Sequence, residues 1–394
     1  MILEELIKTV IDEQNAANLA KINISRNTVL PKNSSRILVV SGVRRCGKST
    51  LLQQSFGSGS ECITVNFEDP RLDAFELNDF YKIEKIANDL GKSIFVFDEI
   101  QNIEGWEKYA RSAHETGKKV YVTGSNASML SKELGTRLTG RYQQIELFPF
   151  DYSEYLLFSN KKANAESYKT FLLDGGFPEF LKEQNPEYLR TLLKDIVIRD
   201  IVVRRGVKNE HLLIRLAVYL LSNIAKEFSY NNITQTLSIK SVRSTIDYCD
   251  YLQESYLVEL IPRFSFSIRQ QQCNPKKAYC IDTGMAKANS LSLNEDYGRM
   301  LENAVYLQLR KHSKDIQYFK DEKLECDFLL KEGNQISYAI QVCWQLTPDN
   351  LERELNGLKR AMQSTKAKKG VIITLDQSDI FDEIPVIPVW KWDF

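Results

Sequence analysis

Residues 42–50 read GVRRCGKST and follow an apolar run, ILVV, at residues 37–40. Two glycines that bracket four residues and precede Lys48 and Ser49 form the pattern of a phosphate-binding loop, or P-loop. Gly42 and Gly47 allow backbone angles that a side chain would forbid, so the N–H groups of the loop can turn towards a phosphate chain. Lys48 places a charge at the β- and γ-phosphates, and the Ser49 hydroxyl can ligate Mg²⁺. The pattern predicts a nucleoside-triphosphate site, lined by Gly42, Val43, Arg44, Arg45, Cys46, Gly47, Lys48, Ser49 and Thr50.

Composition is that of an ordinary globular protein. The chain has 394 residues, a length that predicts two or three domains, and 52 Lys and Arg residues balance 52 Asp and Glu residues. Net charge therefore gives no overall attraction to nucleic acid. Seven scattered cysteines and three histidines support neither a zinc site nor a disulfide framework. The cysteines are therefore expected to be reduced thiols of a cytoplasmic protein. No uncharged apolar stretch is long enough to span a bilayer, so we expect no membrane contact.

Three patterns follow one another along the chain and predict three domains. Up to residue 150, short apolar strands alternate with helical segments, at 36–41, 61–67, 93–99, 118–124 and 143–148. This alternation predicts an α/β domain whose parallel sheet is covered on both faces. A mostly helical region follows at 151–270, and a second α/β region at 271–394.

A second motif, IFVFDE at residues 94–99, places two carboxylates after four apolar residues. A buried strand of this Walker B type delivers Asp98 to Mg²⁺. The adjacent Glu99 can act as general base on the attacking water. Together with the P-loop, this pair predicts hydrolysis of the nucleotide as well as binding.

Two further groups are expected around the γ-phosphate. Polar residues end the predicted strand at 118–124, where Asn126, or alternatively Ser125, would orient the lytic water. Arg141, and after it Arg137, are candidates for an arginine that stabilises the transition state from a neighbouring subunit. Such an arginine implies a homo-oligomer, whereas the alternative for both residues is a surface salt bridge.

Several of these stretches together resemble a family of AAA-type ATPases of bacteria and archaea that carry a C-terminal domain of unknown function. They are GVRRCGKSTLL, VNFEDPRL, FVFDEIQNIEGWE, VTGSNASML and LTGRYQQIELFPFDYSEYL. The resemblance extends over nearly the whole chain. It implies ATP as the nucleotide and an ASCE-type sheet, in which the sensor strand lies between the P-loop strand and the Walker B strand.

The middle region resembles a winged helix from Leu212 onward. Helical patterns at 211–226, 229–237 and 240–254 precede the run YLVELI, which would open the wing. Such a module can place its second helix in the major groove of DNA. The exposed candidates for DNA contact are Lys240, Ser241, Arg243 and Ser244. The alternative is a helical lid that only packs against the ATPase domain.

The last region resembles the PD-(D/E)xK nuclease core, in which carboxylates bind Mg²⁺ and a lysine helps to activate water. Glu302 and Asp327 occupy its first two positions, in GRMLENAVYLQLRKH and LECDFLL. In YAIQVCW, Gln341 replaces the third acid and Cys343 replaces the lysine. We therefore expect a degenerate nuclease-like domain that is inactive or serves for binding.

These features support three functional hypotheses. The first is an oligomeric, Mg²⁺-dependent ATPase that binds or remodels duplex or branched DNA. The second is an ATP-driven switch or remodelling ATPase with a protein partner, which the zero net charge favours. The third is a metal-dependent DNA nuclease gated by ATP.

Overall fold

The computed structural model describes residues 2–19, 24–32, 34–56, 61–124, 138, 140–292, 296–322, 324–333 and 335–394. It divides into two compact units. The first comprises Met1–Phe148 with Glu254–Tyr256, and the second comprises Pro149–Gln253 with Leu257–Phe394.

The first unit is built on a five-stranded sheet in which all strands are parallel. The strands are β1 (Ile37–Ser41), β2 (Cys62–Asn66), β3 (Ile94–Asp98), β4 (Lys119–Gly124) and β5 (Tyr142–Glu146). Their order is β2-β3-β4-β1-β5. The predicted sensor strand, β4, thus lies between the P-loop strand β1 and the Walker B strand β3. This order is that of a P-loop NTPase and confirms the expected sheet.

Helices of the first unit bury one apolar face each against this sheet. They are α1 (Glu4–Leu19), α2 (Lys48–Phe56), α3 (Phe80–Asp89) and α4 (Trp106–Glu115). In α3 the buried residues Phe80, Ile83 and Ala87 recur at helical spacing, as expected for a helix with one covered face. Phe80 stacks on Tyr109 of α4, with ring centroids 4.2 Å apart. This aromatic packing joins the two helices over the core that surrounds the Walker B strand.

The second unit begins with a helical region. Its helices are α5 (Tyr152–Ser159), α6 (Ala165–Asp174), α7 (Pro178–Glu183), α8 (Pro186–Asp195), α9 (Glu210–Ser222), α10 (Tyr230–Thr236) and α11 (Val242–Glu254). A three-stranded antiparallel sheet accompanies them. Its strands are β6 (Glu227–Phe228), β7 (Val258–Pro262) and β8 (Lys276–Cys280), in the order β6-β8-β7, and α12 (Ile268–Cys273) lies in the β7–β8 connection.

The rest of the second unit is a six-stranded mixed sheet with its helices. The elements are α13 (Thr283–Asn289), α14 (Tyr297–His312), β9 (Ile316–Asp321), β10 (Leu324–Glu332), β11 (Gln335–Val342), α15 (Leu351–Thr365), β12 (Lys369–Thr374), β13 (Asp379–Phe381) and β14 (Ile384–Pro388). The strand order is β13-β14-β12-β11-β10-β9. Helix α15 crosses β10 so closely that a Cβ at Gly357 would lie 2.2 Å from the carbonyl oxygen of Glu325.

Candidate functional site

The P-loop connects the carboxyl end of β1 to the first residue of α2. Gly42 is required by its surroundings, because a Cβ at this position would lie 2.2 Å from the carbonyl oxygen of Leu147. Gly47 has φ +101°, a backbone angle that side chains rarely adopt. The loop therefore approaches its neighbours through backbone atoms. The thiol of Cys46 donates to the carbonyl oxygen of Leu147 at 3.4 Å, so this residue contributes its backbone, and not its side chain, to the loop interior.

Lys48 holds its ammonium group inside the loop. The side chain is buried, and Nζ donates to the carbonyl oxygens of Gly42 and Val43, at 3.1 Å each. The same Nζ lies 3.8 Å from Oε1 of Glu99. The cation is thus already positioned between the loop backbone and the predicted base, where it can meet a phosphate chain.

Arg26 contacts the P-loop, although no sequence motif includes it. Its guanidinium is buried and bridges two segments: Nη1 donates to the carbonyl oxygen of Cys46 at 2.7 Å, and Nη2 donates to that of Phe148 at 2.7 Å. A planar guanidinium can make both bonds at once. Arg26 therefore connects Cys46 of the P-loop to Phe148 through its two hydrogen bonds. Its distance in sequence from the loop leaves no local pattern that would identify this role.

Asp98 lies at the end of β3 with its carboxylate fully enclosed. The Thr123 hydroxyl donates to Oδ1, and the Ser49 hydroxyl also hydrogen-bonds to this carboxylate. Burial, and then the neighbouring Glu99, raise the pKa of Asp98 above its ordinary value. Carboxylate and hydroxyl oxygens are ligands that Mg²⁺ accepts. The pairing of Asp98 with Ser49 therefore fits the predicted metal position.

Glu99 has a left-handed backbone, with φ 52° and ψ 44°, which is uncommon for a residue with a side chain. Its N–H donates to the Thr123 hydroxyl at 2.9 Å, and Gln101 Nε2 donates to its carboxylate. Residues held in sparsely populated conformations cluster at active sites. Thr123 contacts both Walker B carboxylate residues, and sequence reasoning did not assign it a role.

The remaining predicted ATPase residues differ in where they lie. Asn126, Ser125 and Arg137 fall outside the described residues. Arg141 immediately precedes β5, and its guanidinium lies 3.5 Å from Oε1 of Glu115. Its carbonyl oxygen accepts the N–H of Ile37, so it sits at the amino end of β1, opposite the P-loop.

Two of the predicted nuclease-like residues, Glu302 and Asp327, contact a lysine that lies outside the motif. Nζ of Lys277, on β8, lies 2.9 Å from Glu302 Oε1, 3.1 Å from Asp327 Oδ1 and 2.6 Å from Glu325 Oε1. Lys277 lies on a strand outside the motif, and Cys343 occupies the position at which the motif has its lysine. The Cys343 thiol donates to the carbonyl oxygen of Gln345 at 3.1 Å.

Gln341 and Asp327 lie on neighbouring strands of this centre. They flank the paired residues Phe328 and Ile340, so their side chains share one face of the sheet. Gln341 Nε2 donates to Glu354 at 2.6 Å, while its buried Oε1 has no hydrogen-bond partner among the described residues. Burial, and then Glu302, raise the pKa of Asp327 above its ordinary value, while Lys277 opposes this shift.

The four predicted DNA-contact residues lie at the start of α11. Lys240, Ser241 and Arg243 are exposed and Ser244 is half-buried. The Ser241 hydroxyl accepts the N–H of Ser244 at 3.1 Å and so caps the helix. Arg243 forms an ion pair with Asp247 one turn later, with Nε 3.1 Å from the carboxylate.

Within the described ranges, no helix combines the length and the apolar character needed to cross a bilayer.

Family models divide the chain into three matched regions. Residues 34–156 match an AAA domain, residues 165–296 match a domain of unknown function (DUF8612), and residues 297–392 match another (DUF4143). With the parallel sheet and its P-loop, the first match shows an AAA-type ATPase fold, and it supports ATP as the nucleotide.

Solved structures with partial similarity include three proteins. The replication initiator DnaA bound to AMPPCP and single-stranded DNA has a TM-score of 0.28 and 15% identity, covering 64% of this chain and 86% of that chain. Cdc6p from Pyrobaculum aerophilum has a TM-score of 0.26 and 11% identity, covering 65% of this chain and 86% of that chain. Katanin has a TM-score of 0.23 and 14% identity, covering 64% of this chain and 80% of that chain.

Two relatives match along nearly their full length. The uncharacterized protein MJ1544 of Methanocaldococcus jannaschii is 32% identical, covering 98% of this chain and 94% of the relative. An uncharacterized protein of Haemophilus influenzae is 30% identical, covering 95% of this chain and 99% of the relative. The chain belongs to the same protein family as these two relatives, and its P-loop lies in an AAA domain.

Proposed function

We propose that this protein is a Mg²⁺-dependent ATP hydrolase that works as an oligomer and uses hydrolysis to bind or remodel duplex or branched DNA. The observation that carries the catalytic part is the buried set of contacts joining Lys48, Asp98, Glu99 and Thr123. A binding loop alone would not need a second carboxylate held beside the lysine.

The residues of the site divide the chemical work. Lys48 exchanges its carbonyl partners for phosphate oxygens and offsets their charge. Mg²⁺, when bound with ATP through Asp98 and the Ser49 hydroxyl, would neutralise charge on the β- and γ-phosphates. Glu99 accepts a proton from the attacking water, and the hydrogen bond from its N–H to Thr123 fixes the backbone that carries this carboxylate. Asn126, with Ser125 as the alternative, is proposed to orient that water.

Oligomeric action is proposed because of the place of Arg141. It lies at the amino end of β1, and five residues of extended strand separate it from the P-loop of its own chain, roughly 16 Å. It therefore cannot stabilise charge in its own site. Its guanidinium can instead stabilise charge in the site of a neighbouring subunit. Arg137 is the second candidate for this role.

Binding of DNA is proposed from the region between α9 and β8. From α9 to β8 the elements are helix, strand, helix, helix, strand, helix and strand, and the sheet order is β6-β8-β7. This order resembles that of a winged helix and supports the proposal that α11 is a recognition helix. Lys240 and Arg243 expose their side chains at its start. Since Asp247 and Asp250 follow on the same helix, we assign phosphate contact to that first turn only.

The test is DNA binding by the full-length protein, measured by fluorescence anisotropy on duplex and junction DNA at two salt concentrations. The double variant Lys240→Ala/Arg243→Ala should weaken DNA binding about tenfold. The slope of the logarithm of the binding constant against the logarithm of the salt concentration should also become shallower by about two, because each cation contacts one phosphate. Lys8→Ala/Lys85→Ala removes the same charge from exposed positions of the first unit and should leave binding unchanged. Absence of binding by the parent protein at low salt would reject the DNA proposal.

A second candidate function, remodelling of a protein partner, is favoured by an exposed apolar pair. Phe266 and Ile268, in the β7–β8 connection, are 85% and 74% exposed. Two exposed apolar side chains in one connection offer a contact surface to a protein partner. If this function is the right one, nucleic acid should not change the rate of ATP turnover. The parent protein and both double variants should then also have the same affinity for DNA.

A further inference from the structure

The buried carboxylate centre of the second unit already contains a cation. Lys277 is 2% exposed, and its ammonium nitrogen lies within 2.6–3.1 Å of carboxylate oxygens from Glu302, Glu325 and Asp327. These distances are those of charge-assisted hydrogen bonds. An ammonium group has three donors, which matches the three carboxylates around it.

Each of the three carboxylates has a further protein donor near it. The Tyr279 hydroxyl donates to Glu302 Oε1 at 2.7 Å. The N–H of Val342 donates to Asp327 Oδ2 at 2.9 Å, and Lys320 approaches the second oxygen of Glu325 at 3.6 Å. The carboxylates are therefore oriented towards protein donors.

A divalent metal of the kind implied by the nuclease resemblance does not fit this arrangement. Mg²⁺ needs oxygen ligands at about 2.0–2.1 Å in near-octahedral geometry. Here the point at which Glu302 and Asp327 converge holds the Lys277 nitrogen, and a divalent ion beside it would meet a like charge. Nor do the described residues contain a group of three or more His, Cys, Asp or Glu side chains placed to bind a metal.

We propose that Lys277 is the resident cation of this centre and takes the place of a divalent metal, so that the domain does not cleave phosphodiesters by metal-assisted hydrolysis. The centre then joins β8, α14 and β10 as a fixed ionic junction. The proposal does not depend on the DNA-binding proposal, since a domain that cannot cut can still bind.

Burial by itself would lower the pKa of Lys277. Glu302, Tyr279, Asp327 and Glu325 nevertheless raise it well above its ordinary value. The lysine is therefore charged throughout the neutral range.

The first test compares Mn²⁺ binding by the nucleotide-free parent protein and by Asp327→Asn, followed by electron paramagnetic resonance. The two proteins should bind Mn²⁺ equally, because any site at the P-loop is common to both, and neither should nick plasmid DNA with Mn²⁺. A Mn²⁺ ion bound by the parent protein and lost in Asp327→Asn would overturn the proposal, and so would nicking that Asp327→Asn abolishes. This comparison requires no change at Lys277.

The second test removes the resident cation. Lys277→Met should lower the melting temperature and create a Mn²⁺ site, because Glu302 and Asp327 lose their counter-ion and the unpartnered Gln341 Oε1 supplies a neutral ligand. Added Mn²⁺ should then restore part of the lost thermal stability. Lys276→Met, on the same strand but outside the carboxylate centre, is the control and should neither gain the site nor respond to Mn²⁺. If Lys277→Met kept the parent's stability and gained no Mn²⁺ site, Lys277 would not be the resident cation.

Discussion

Thr123 donates its hydroxyl hydrogen to the carboxylate of Asp98 and accepts the N–H of Glu99 with the same oxygen. One side chain on β4 thus connects the predicted metal ligand and the predicted base on β3. This contact is possible because β4 lies directly beside β3 in the sheet. The strand order of the domain therefore allows one hydroxyl group to contact both Asp98 and Glu99.

Removing this hydroxyl should slow hydrolysis more than it weakens nucleotide binding. Thr123→Val keeps the shape of the side chain but removes one hydrogen bond to the Asp98 carboxylate and the acceptor of the Glu99 N–H. We expect the turnover rate to fall about tenfold, which corresponds to roughly 1.4 kcal/mol of lost transition-state stabilisation. Thr123→Ser keeps the hydroxyl and is the control. Equal steady-state turnover in the valine and serine variants would argue against the role of Thr123.

Removing the Arg26 guanidinium should weaken ATP binding and also lower the free energy of unfolding. Arg26→Met removes the hydrogen bonds to the carbonyl oxygens of Cys46 and Phe148, at a cost of about 1–3 kcal/mol. Arg71→Met is the matched control, because Arg71 is a partly exposed surface arginine whose ion pairs contribute little. Urea denaturation and ATP titration of both variants measure the difference. Similar losses in the two variants would mean that Arg26 has no special role.

Arg141 should act on a neighbouring subunit. Arg141→Ala subunits mixed with parent subunits at constant total protein should give ATP turnover that departs from a straight line, because each site draws on two chains. Arg111→Ala, a substitution of another arginine on the surface of the first unit, should follow the straight line. A linear dilution for both variants would favour the surface salt bridge with Glu115.

Asp282 should make the stability of the second unit depend on pH. It accepts the N–H groups of Gly176 at 2.6 Å and Met285 at 2.7 Å, and burial raises its pKa to about 6 in spite of these bonds. The folded state then holds the proton more tightly than the unfolded chain, whose ordinary pKa is 3.8. Its contribution is fully present below about pH 4 and is lost as the pH rises through about 6, a difference of about 3 kcal/mol.

Asp282→Asn removes this titration. Relative to that variant, the parent protein should therefore gain free energy of unfolding between about pH 7 and about pH 5 in urea denaturation. Curves that stay parallel over this range would show that Asp282 does not titrate there.

Sequence patterns predicted what depends on local order, and missed what depends on distant contacts. Gly42, Lys48, Asp98 and Glu99 occur in short motifs, and the alternation of strands and helices predicted the parallel sheet. Arg26 and Lys277 have no local signature, because their partners are brought to them by folding. Lys277 meets Asp327, which lies on a strand 50 residues further along the chain.

The sensor is a mixed case. The sequence pattern predicted a water-orienting residue just beyond the end of β4, at Asn126 or Ser125, and both lie outside the described residues. Thr123, the residue that contacts the Walker B pair, is inside the strand. Nothing in a buried strand pattern distinguishes a hydroxyl that bonds a catalytic carboxylate from one that only packs.

The central claim, that Glu99 is the base of an ATP-hydrolysing site, is tested most directly by single-turnover hydrolysis with Glu99→Gln. This variant should bind ATP with the affinity of the parent protein and hydrolyse it at least about 10²-fold more slowly, since it keeps the shape of the side chain but cannot accept the proton. Glu68→Gln, a substitution of the carboxylate that pairs with Arg44 of the P-loop at 3.1 Å, is the control and should hydrolyse ATP at nearly the parent rate. Turnover by Glu99→Gln at the rate of the parent protein would contradict the account.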